Sequence, residues 1–190
     1  MRPMLPLIAA LAITLVAGCA MPAPHPEPQA STGPRIDVIW VPSELTVARK
    51  MLEVAGVGRA DVVYDLGSGD GRIPIMAAKE FGARGVGVEI DPALVVKSRA
   101  NAVTAGVADR VTFVEQDLFT ADIGQASVVA IYLGQEVNLK LRPKLLEELR
   151  PGTRVVSHDY DLGDWPPERT VTVDLADRDH RVFLWRVPPR

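Results

Sequence analysis

Short apolar runs alternate along this chain with longer stretches in which apolar residues recur every three or four positions. The runs "DVVYDL" (61–66), "RGVGVEI" (84–90), "RVTFVEQDL" (110–118), "ASVVAIYL" (126–133) and "GTRVVSHDY" (152–160) read as strands. Their near-continuous apolar character is that of strands covered on both faces. Between them, "GRIPIMAAKEFG" (71–82), "DPALVVKSRANAVTAG" (91–106) and "LKLRPKLLEELR" (139–150) carry helical spacing. Gly82 stops the first of these. The second opens with Asp91 as N-cap and Pro92 at the first helical position, and Gly106 closes it. The third breaks or starts near Pro143 and ends before Pro151. Ahead of them all, "SELTVARKMLEVAG" (43–56) is an amphipathic helix with Ser43 as its N-cap. At the other end, "RTVTVDL" (169–175) and "HRVFLWRV" (180–187) alternate as the two strands of an antiparallel hairpin.

Strands separated by helices of this length predict an α/β fold. Five parallel strands and the terminal hairpin make a doubly wound, seven-stranded, mostly parallel sheet with a C-terminal antiparallel hairpin. With 190 residues, 47% of them hydrophobic, the chain can bury one substantial core. The formal net charge of -3 and the lack of a basic block disfavour nucleic acid as a main partner.

The first residues stand apart from this pattern. Arg2, an apolar run from Leu5 to Ala17 and then small residues read as a signal peptide. Thirteen apolar residues are too few to cross a bilayer core of about 30 Å. Val16-Ala17-Gly18-Cys19 resembles the bacterial lipobox, and Cys19 is the only cysteine, placed where a lipid would be attached. Residues 20–35 are rich in proline and poor in large apolar groups, so they read as an extended tether. The expected layout is a signal peptide with lipobox (1–19), a Pro-rich linker (20–35) and one domain (36–190). It places the protein at the cell envelope with a lipid anchor in the membrane, or in the cytoplasm if translation starts internally, for example at Met21.

The first strand leads into Gly67-Ser68-Gly69-Asp70-Gly71. In open α/β sheets ligands sit outside the carboxyl ends of the strands, where the strand order reverses, and the first β-α turn lies there. Dinucleotide loops read G-x-G-x-x-G, but this one reads G-x-G-x-G, with Arg72 where the third glycine would fall and an acid, Asp70, inside the turn. No Gly-Lys-Ser/Thr follows, so the P-loop is excluded as well. A loop that would repel pyrophosphate fits a phosphate-free ligand such as S-adenosylmethionine (SAM). Glu89, 22 residues after Gly67, ends the second strand where an acid can accept from both ribose hydroxyls. Asp117 ends the third strand, placed for the adenine amino group; Leu118 beside it can contact the ring, or a neighbouring amide can meet a ring nitrogen. Asp65 can order the glycine turn and reach the methionine ammonium, directly or through water.

These features resemble the class I SAM-dependent methyltransferases over nearly all of residues 36–190. "DVIWVPSELTVARKML", "VVYDLGSGDGRIPIMAAK", "VTFVEQDLF" and "RVVSHDYDLGDW" are similar to a small family within that class. Its mitochondrial members are lysine methyltransferases acting on the ATP synthase c-subunit or the adenine nucleotide translocator. The resemblance implies a Rossmann-like methyltransferase fold, SAM as cofactor, binding through Asp65, Gly67, Ser68, Gly69, Gly71, Glu89, Asp117 and Leu118, and a protein lysine as acceptor. The family usually reads Val-Pro-Thr-Pro before the first helix; here it is Val41-Pro42-Ser43-Glu44, which keeps the hydroxyl and loses the second proline.

Candidates for the acceptor side are Tyr132 after the fourth strand and His158 and Asp159 at the end of the fifth. Tyr132, with Gln135, lines an acceptor channel or is ordinary strand-end packing. His158 or Asp159 orients or deprotonates an acceptor, or forms a hydrogen-bonded turn leading to Trp165. The aminomethylases of nucleic acid and glutamine carry Asn/Asp-Pro-Pro-Tyr where this chain reads "IYLGQE", which argues against those substrates. A lone cysteine, and His25, His158 and His180 without metal-ligand spacing, give no metal motif. A small-molecule methyltransferase and a non-catalytic SAM-binding envelope lipoprotein are the competing readings.

Overall fold

The computed structural model describes residues 43–190. The leader with Cys19, the Pro-rich linker and Val41-Pro42 lie outside these residues. Seven strands form one sheet: β1 (Val62–Leu66), β2 (Arg84–Glu89), β3 (Val111–Glu115), β4 (Val128–Ile131), β5 (Arg154–His158), β6 (Arg169–Asp174) and β7 (Asp179–Arg186). Four helices accompany them: α1 (Leu45–Val54), α2 (Arg72–Phe81), α3 (Pro92–Ala105) and α4 (Gln135–Glu148). The sheet order is β3-β2-β1-β4-β5-β7-β6. Strands β1 to β5 pair in parallel, and β7 is antiparallel to both β5 and β6. The expected doubly wound sheet with a terminal hairpin is what forms. Its strand order reverses between β1 and β4, which puts the ligand crevice at their carboxyl ends.

Side chains on a strand alternate faces, and the core follows that period. Val128 and Ala130 of β4 join Met51 and Leu52 of α1 and Ile73 and Ala77 of α2 on one face. Val129 and Ile131 of the same strand join Leu141 and Leu145 of α4 on the other. Every residue of β4 is therefore buried, which is why its sequence shows no polar alternation. At the β3 edge, Val95 and Ala102 of α3 pack with Val111 and Phe113. Among the described residues no helix is long and apolar enough to cross a membrane.

Local signals fix most element ends. Asp91 caps α3 by accepting from the Ala93 amide at 2.8 Å, Pro92 sits in its first turn, and Gly106 closes it in the left-handed region. Two expectations are corrected. Helix α4 begins at Gln135, four residues before the expected 139, and carries Pro143 inside it. Its apolar face against the sheet outweighs the backbone bond that Pro143 cannot donate. Ser43 does not cap α1: Glu44 stands at the cap position without a side-chain bond. The Ser43 hydroxyl is engaged elsewhere.

Candidate active site

The glycine turn is held by β2. The amides of Gly67 and Ser68 both donate to the Val88 carbonyl, at 2.8 and 3.0 Å. Gly67, Gly69 and Gly71 have φ of 79°, 53° and 80°, a region costly for residues with a Cβ. Packing makes Gly71 doubly constrained, since a Cβ there would lie 2.5 Å from the Phe113 ring. Glu89 accepts from the Gly69 amide at 2.8 Å and from the Ile90 and Asp91 amides at 2.9 and 3.0 Å. A carboxylate offers about four acceptor sites, so capacity for a further donor remains. Ser68 turns its hydroxyl inward, toward the space left by the missing side chain of Gly87, where it is buried without a hydrogen-bond partner. It faces the sheet, so any contact of Ser68 with a cofactor is through its backbone.

Arg72 explains the departure from the dinucleotide pattern. Its guanidinium binds both oxygens of Asp70, at 2.9 and 2.7 Å, and donates to the Ser43 carbonyl at 2.7 Å. Burial pushes the Asp70 carboxyl up, but the hydrogen bonds and charge of Arg72 outweigh that and hold it below its usual range. The loop acid is thus neutralised within the protein. Asp65 is not. It is the second-last residue of β1, almost fully buried at 4% exposed, and no donor among the described residues hydrogen-bonds its carboxylate. Burial first, then the charges of Glu89 and Asp70, push it up to about 8 against the opposing pull of Arg72. Asp117 falls two residues beyond β3 rather than within it, exposed, with one carboxylate oxygen accepting from the Phe119 amide at 2.9 Å. Leu118 is partly buried against the α4-side core.

Across the crevice, Leu66 of β1 pairs with Ile131 of β4, so Gly67 and Tyr132 leave the sheet side by side. The Tyr132 ring stacks on His158 with centroids 3.9 Å apart, and Tyr160 lies parallel to it at 6.0 Å. The three expected acceptor-side residues, Tyr132, His158 and Asp159, therefore do meet. His158 is 1% exposed; its Nδ1 lies 3.0 Å from the Ser43 hydroxyl and its Nε2 lies 2.8 Å from His180 Nδ1. Burial lowers its pKa to about 4, the attraction of Asp159 opposing and the charges of His180 and Arg178 reinforcing, so the ring is neutral at physiological pH. Burial also raises the Tyr132 phenol, helped by Asp159 and Tyr160. Asp159 has φ of 60°, and this left-handed geometry is fixed from both sides. Its amide donates to the Arg181 carbonyl at 2.7 Å, and its Oδ1 accepts from the Arg181 amide at 2.8 Å. Its other oxygen pairs with Arg178 at 2.6 Å. Gln135 binds Asp161 at 2.9 Å instead of standing free in a channel.

Residues 65–169 match the family model described as the ANTKMT methyltransferase domain. The chain belongs to this family. It is a SAM-dependent methyltransferase. The protein-lysine N-methyltransferase of Saccharolobus islandicus (strain REY15A) is 44% identical over 149 residues, covering 78% of this chain and 92% of that relative. The Xenopus laevis lysine N-methyltransferase of the ATP synthase c-subunit is 34% identical over 155 residues, 82% of this chain but 66% of that protein. Among solved structures, an RNA methyltransferase from Salinibacter ruber in complex with S-adenosyl-L-homocysteine superposes with a TM-score of 0.75 at 57% identity, covering 79% of this chain and 95% of that one. Family membership supports an enzyme over a non-catalytic binding protein. The site suits the cofactor chemically: a buried, unpaired Asp65 matches a ligand ammonium, whose charge would favour its ionised form.

Sequence reasoning missed His180, Arg178, Asn138 and the true partner of Ser43. Asn138 is buried in the first turn of α4 and donates to Ser157 Oγ at 3.1 Å and the Tyr160 carbonyl at 3.0 Å, holding the turn after β5. The histidines lacked metal-ligand spacing in the sequence, yet His158 and His180 meet in the fold. The one available signal was the alternation of "DHRV", which turns His180 inward with Val182.

Proposed function

We propose that this methyltransferase moves the methyl group of SAM to a lysine ε-amine of a protein. The observation that carries this reading is the parallel Tyr132–Tyr160 pair beside the glycine turn. Aromatic faces attract an alkylammonium and pack along its aliphatic stem. Tyr160 is partly exposed and Tyr132 half-buried, so the pair is reachable from solvent. Two relatives named as lysine methyltransferases support the acceptor class.

In this reading Gly67, Gly69 and Gly71 let the backbone approach the cofactor closely. Asp65 receives its ammonium, Glu89 a ribose hydroxyl at its remaining acceptor site, and Asp117 with Leu118 its adenine. Bound SAM supplies a sulfonium-activated methyl with a good leaving group. The chain adds alignment and exclusion of water. Tyr132 and Tyr160 hold the lysine stem, while His158 and Asp159 are positioning residues that fix the Tyr132 ring and the turn beneath it. A neutral His158 held near 4 is a weak base for a lysine amine, so the proton leaves to water before the amine is enclosed.

One observation favours a second reading: the Salinibacter protein is named an RNA methyltransferase. Against it, a net charge of -3 without a basic block provides no surface to track phosphates. Methyl-labelled SAM with a cell lysate separates the two. Label in protein, mapped to methyl-lysine by mass spectrometry, supports the proposal; label confined to RNA or small molecules refutes it. We further propose that Cys19 is lipidated and holds the domain at the envelope membrane. Radiolabelled palmitate should enter the wild type and not a Cys19→Ser variant, and equal incorporation in both excludes lipidation at that residue.

A further inference from the structure

We propose that His158, His180 and Asp159 form a binding site for a divalent transition-metal ion of the zinc type at the seam between β5 and β7. These three residues are grouped by the fold alone, as His158 ends β5, Asp159 follows it, and His180 enters from the antiparallel β7. His158 Nε2 and His180 Nδ1 are 2.8 Å apart, and Asp159 Oδ2 is 3.3 and 3.5 Å from them. Metal–ligand bonds of about 2.1 Å set neighbouring donors about 3.4 Å apart in a tetrahedral site and about 2.9 Å apart in an octahedral one. The three sides, 2.8, 3.3 and 3.5 Å, lie within about 0.1–0.2 Å of those separations. An ion about 2.1 Å from all three donors would sit about 1 Å off their plane.

Each ring has an oxygen near its second nitrogen, hydrogen-bonded in one case and only nearby in the other. A metal-bound histidine turns its second nitrogen to an oxygen acceptor, which fixes the tautomer and the ring. His158 presents Nδ1 to the Ser43 hydroxyl at 3.0 Å. His180 Nε2, buried and without a hydrogen-bond partner, lies 3.4 Å from the Asp177 carboxylate. His158 Nε2 and His180 Nδ1 hydrogen-bond each other at 2.8 Å; with both ring protons turned outward instead, both inward lone pairs become available to a cation between them. Two imidazoles and one carboxylate are a donor set for first-row transition metals rather than for calcium or magnesium. Arg178 is the built-in competitor: its half-exposed guanidinium already pairs with Asp159 Oδ2. The ion would clamp the carboxyl end of β5 to the hairpin, directly beneath the Tyr132 ring stacked on His158.

The test uses the full chain, stripped with a chelator and titrated with Co²⁺ as a spectroscopic probe and then with Zn²⁺. One equivalent of Co²⁺ should give a visible d–d band that Zn²⁺ abolishes. His180→Ala and Asp159→Asn should lose the band, with affinity falling at least about tenfold, while far-UV circular dichroism and SAM binding report that each variant is folded. Zn²⁺ at hundredfold excess over its Kd should raise the wild-type Tm by roughly 5–10 °C and leave Asp159→Asn unmoved. Arg178→Gln removes the competing cation without touching a ligand, so it should bind metal more tightly. A wild type without a saturable Co²⁺ band overturns the proposal, as does an unchanged band in folded His180→Ala. Unchanged or weaker binding by Arg178→Gln overturns the placement at Asp159 Oδ2.

Discussion

Asp65 should make SAM binding release a proton. With a folded-state pKa of about 8, its carboxyl is about nine-tenths protonated at pH 7 in the free enzyme. An ammonium placed against it favours the ionised form. If the bound pKa returns to the ordinary carboxylate range, binding at pH 7 releases about 0.9 proton, and affinity rises about tenfold per pH unit between roughly 5 and 7. Calorimetric titration in buffers with different ionisation heats reads the released proton as the slope of heat against buffer enthalpy. Asp65→Asn should flatten both that slope and the pH dependence. A wild type that releases no proton, or an asparagine variant with the same slope, refutes the assignment. The same shift has a stability consequence of fixed sign. The folded pKa lies above the unfolded value of 3.8, so the ligand-free domain loses stability as pH rises from about 4 to about 8. The upper bound is on the order of 6 kcal/mol. Asp65→Asn should therefore stabilise the free domain more at pH 8 than at pH 5, by denaturant melts at each pH.

Three further perturbations probe the neighbouring geometry. Gly71→Ala combines a φ of 80° with a Cβ 2.5 Å from Phe113, and should cost about 2 kcal/mol or more in a urea melt while weakening SAM binding. Ser43→Ala leaves a buried His158 nitrogen unpaired and should destabilise the domain by about 1–3 kcal/mol; a loss below a few tenths would show that the bond contributes nothing. Tyr132→Phe keeps the ring over His158 and should retain most of kcat/KM, whereas Tyr132→Ala should lose about tenfold or more. Equal loss in both variants would assign the role to the phenol rather than the ring.

What could be read from the sequence was whatever is decided locally. Asp91, Pro92 and Gly106 state the ends of α3 in their own chemistry, and the five apolar runs state the parallel sheet. The G-x-G-x-G spacing with Arg72 selected the cofactor, although the reason Arg72 is there, its clamp from Asp70 to Ser43, depends on a segment 29 residues away. Ser43 was misassigned because a hydroxyl before a helix is a good cap on local grounds, and nothing in its neighbours reveals a histidine 115 residues downstream. The start of α4 was misplaced because Pro143 is a strong local breaker, while the apolar face that carries the helix past it is a tertiary property. His180 was invisible as a partner for the same reason: only strand pairing brings it to His158.

That pairing makes the hairpin a proofreading element. Strand β7 lies between β5 and β6, with His158 opposite Val182 and Val173 of β6 opposite His180. Because side chains alternate along a strand, a slip of one residue would point His180 to the opposite face and swing the Arg181 guanidinium inward. A positive charge would then meet the buried imidazole beneath Tyr132, in a place with no room to hydrate it. Misregistered chains are thus penalised at the seam between β5 and β7. The proposed acceptor site is assembled only when β7 pairs with β5 in frame.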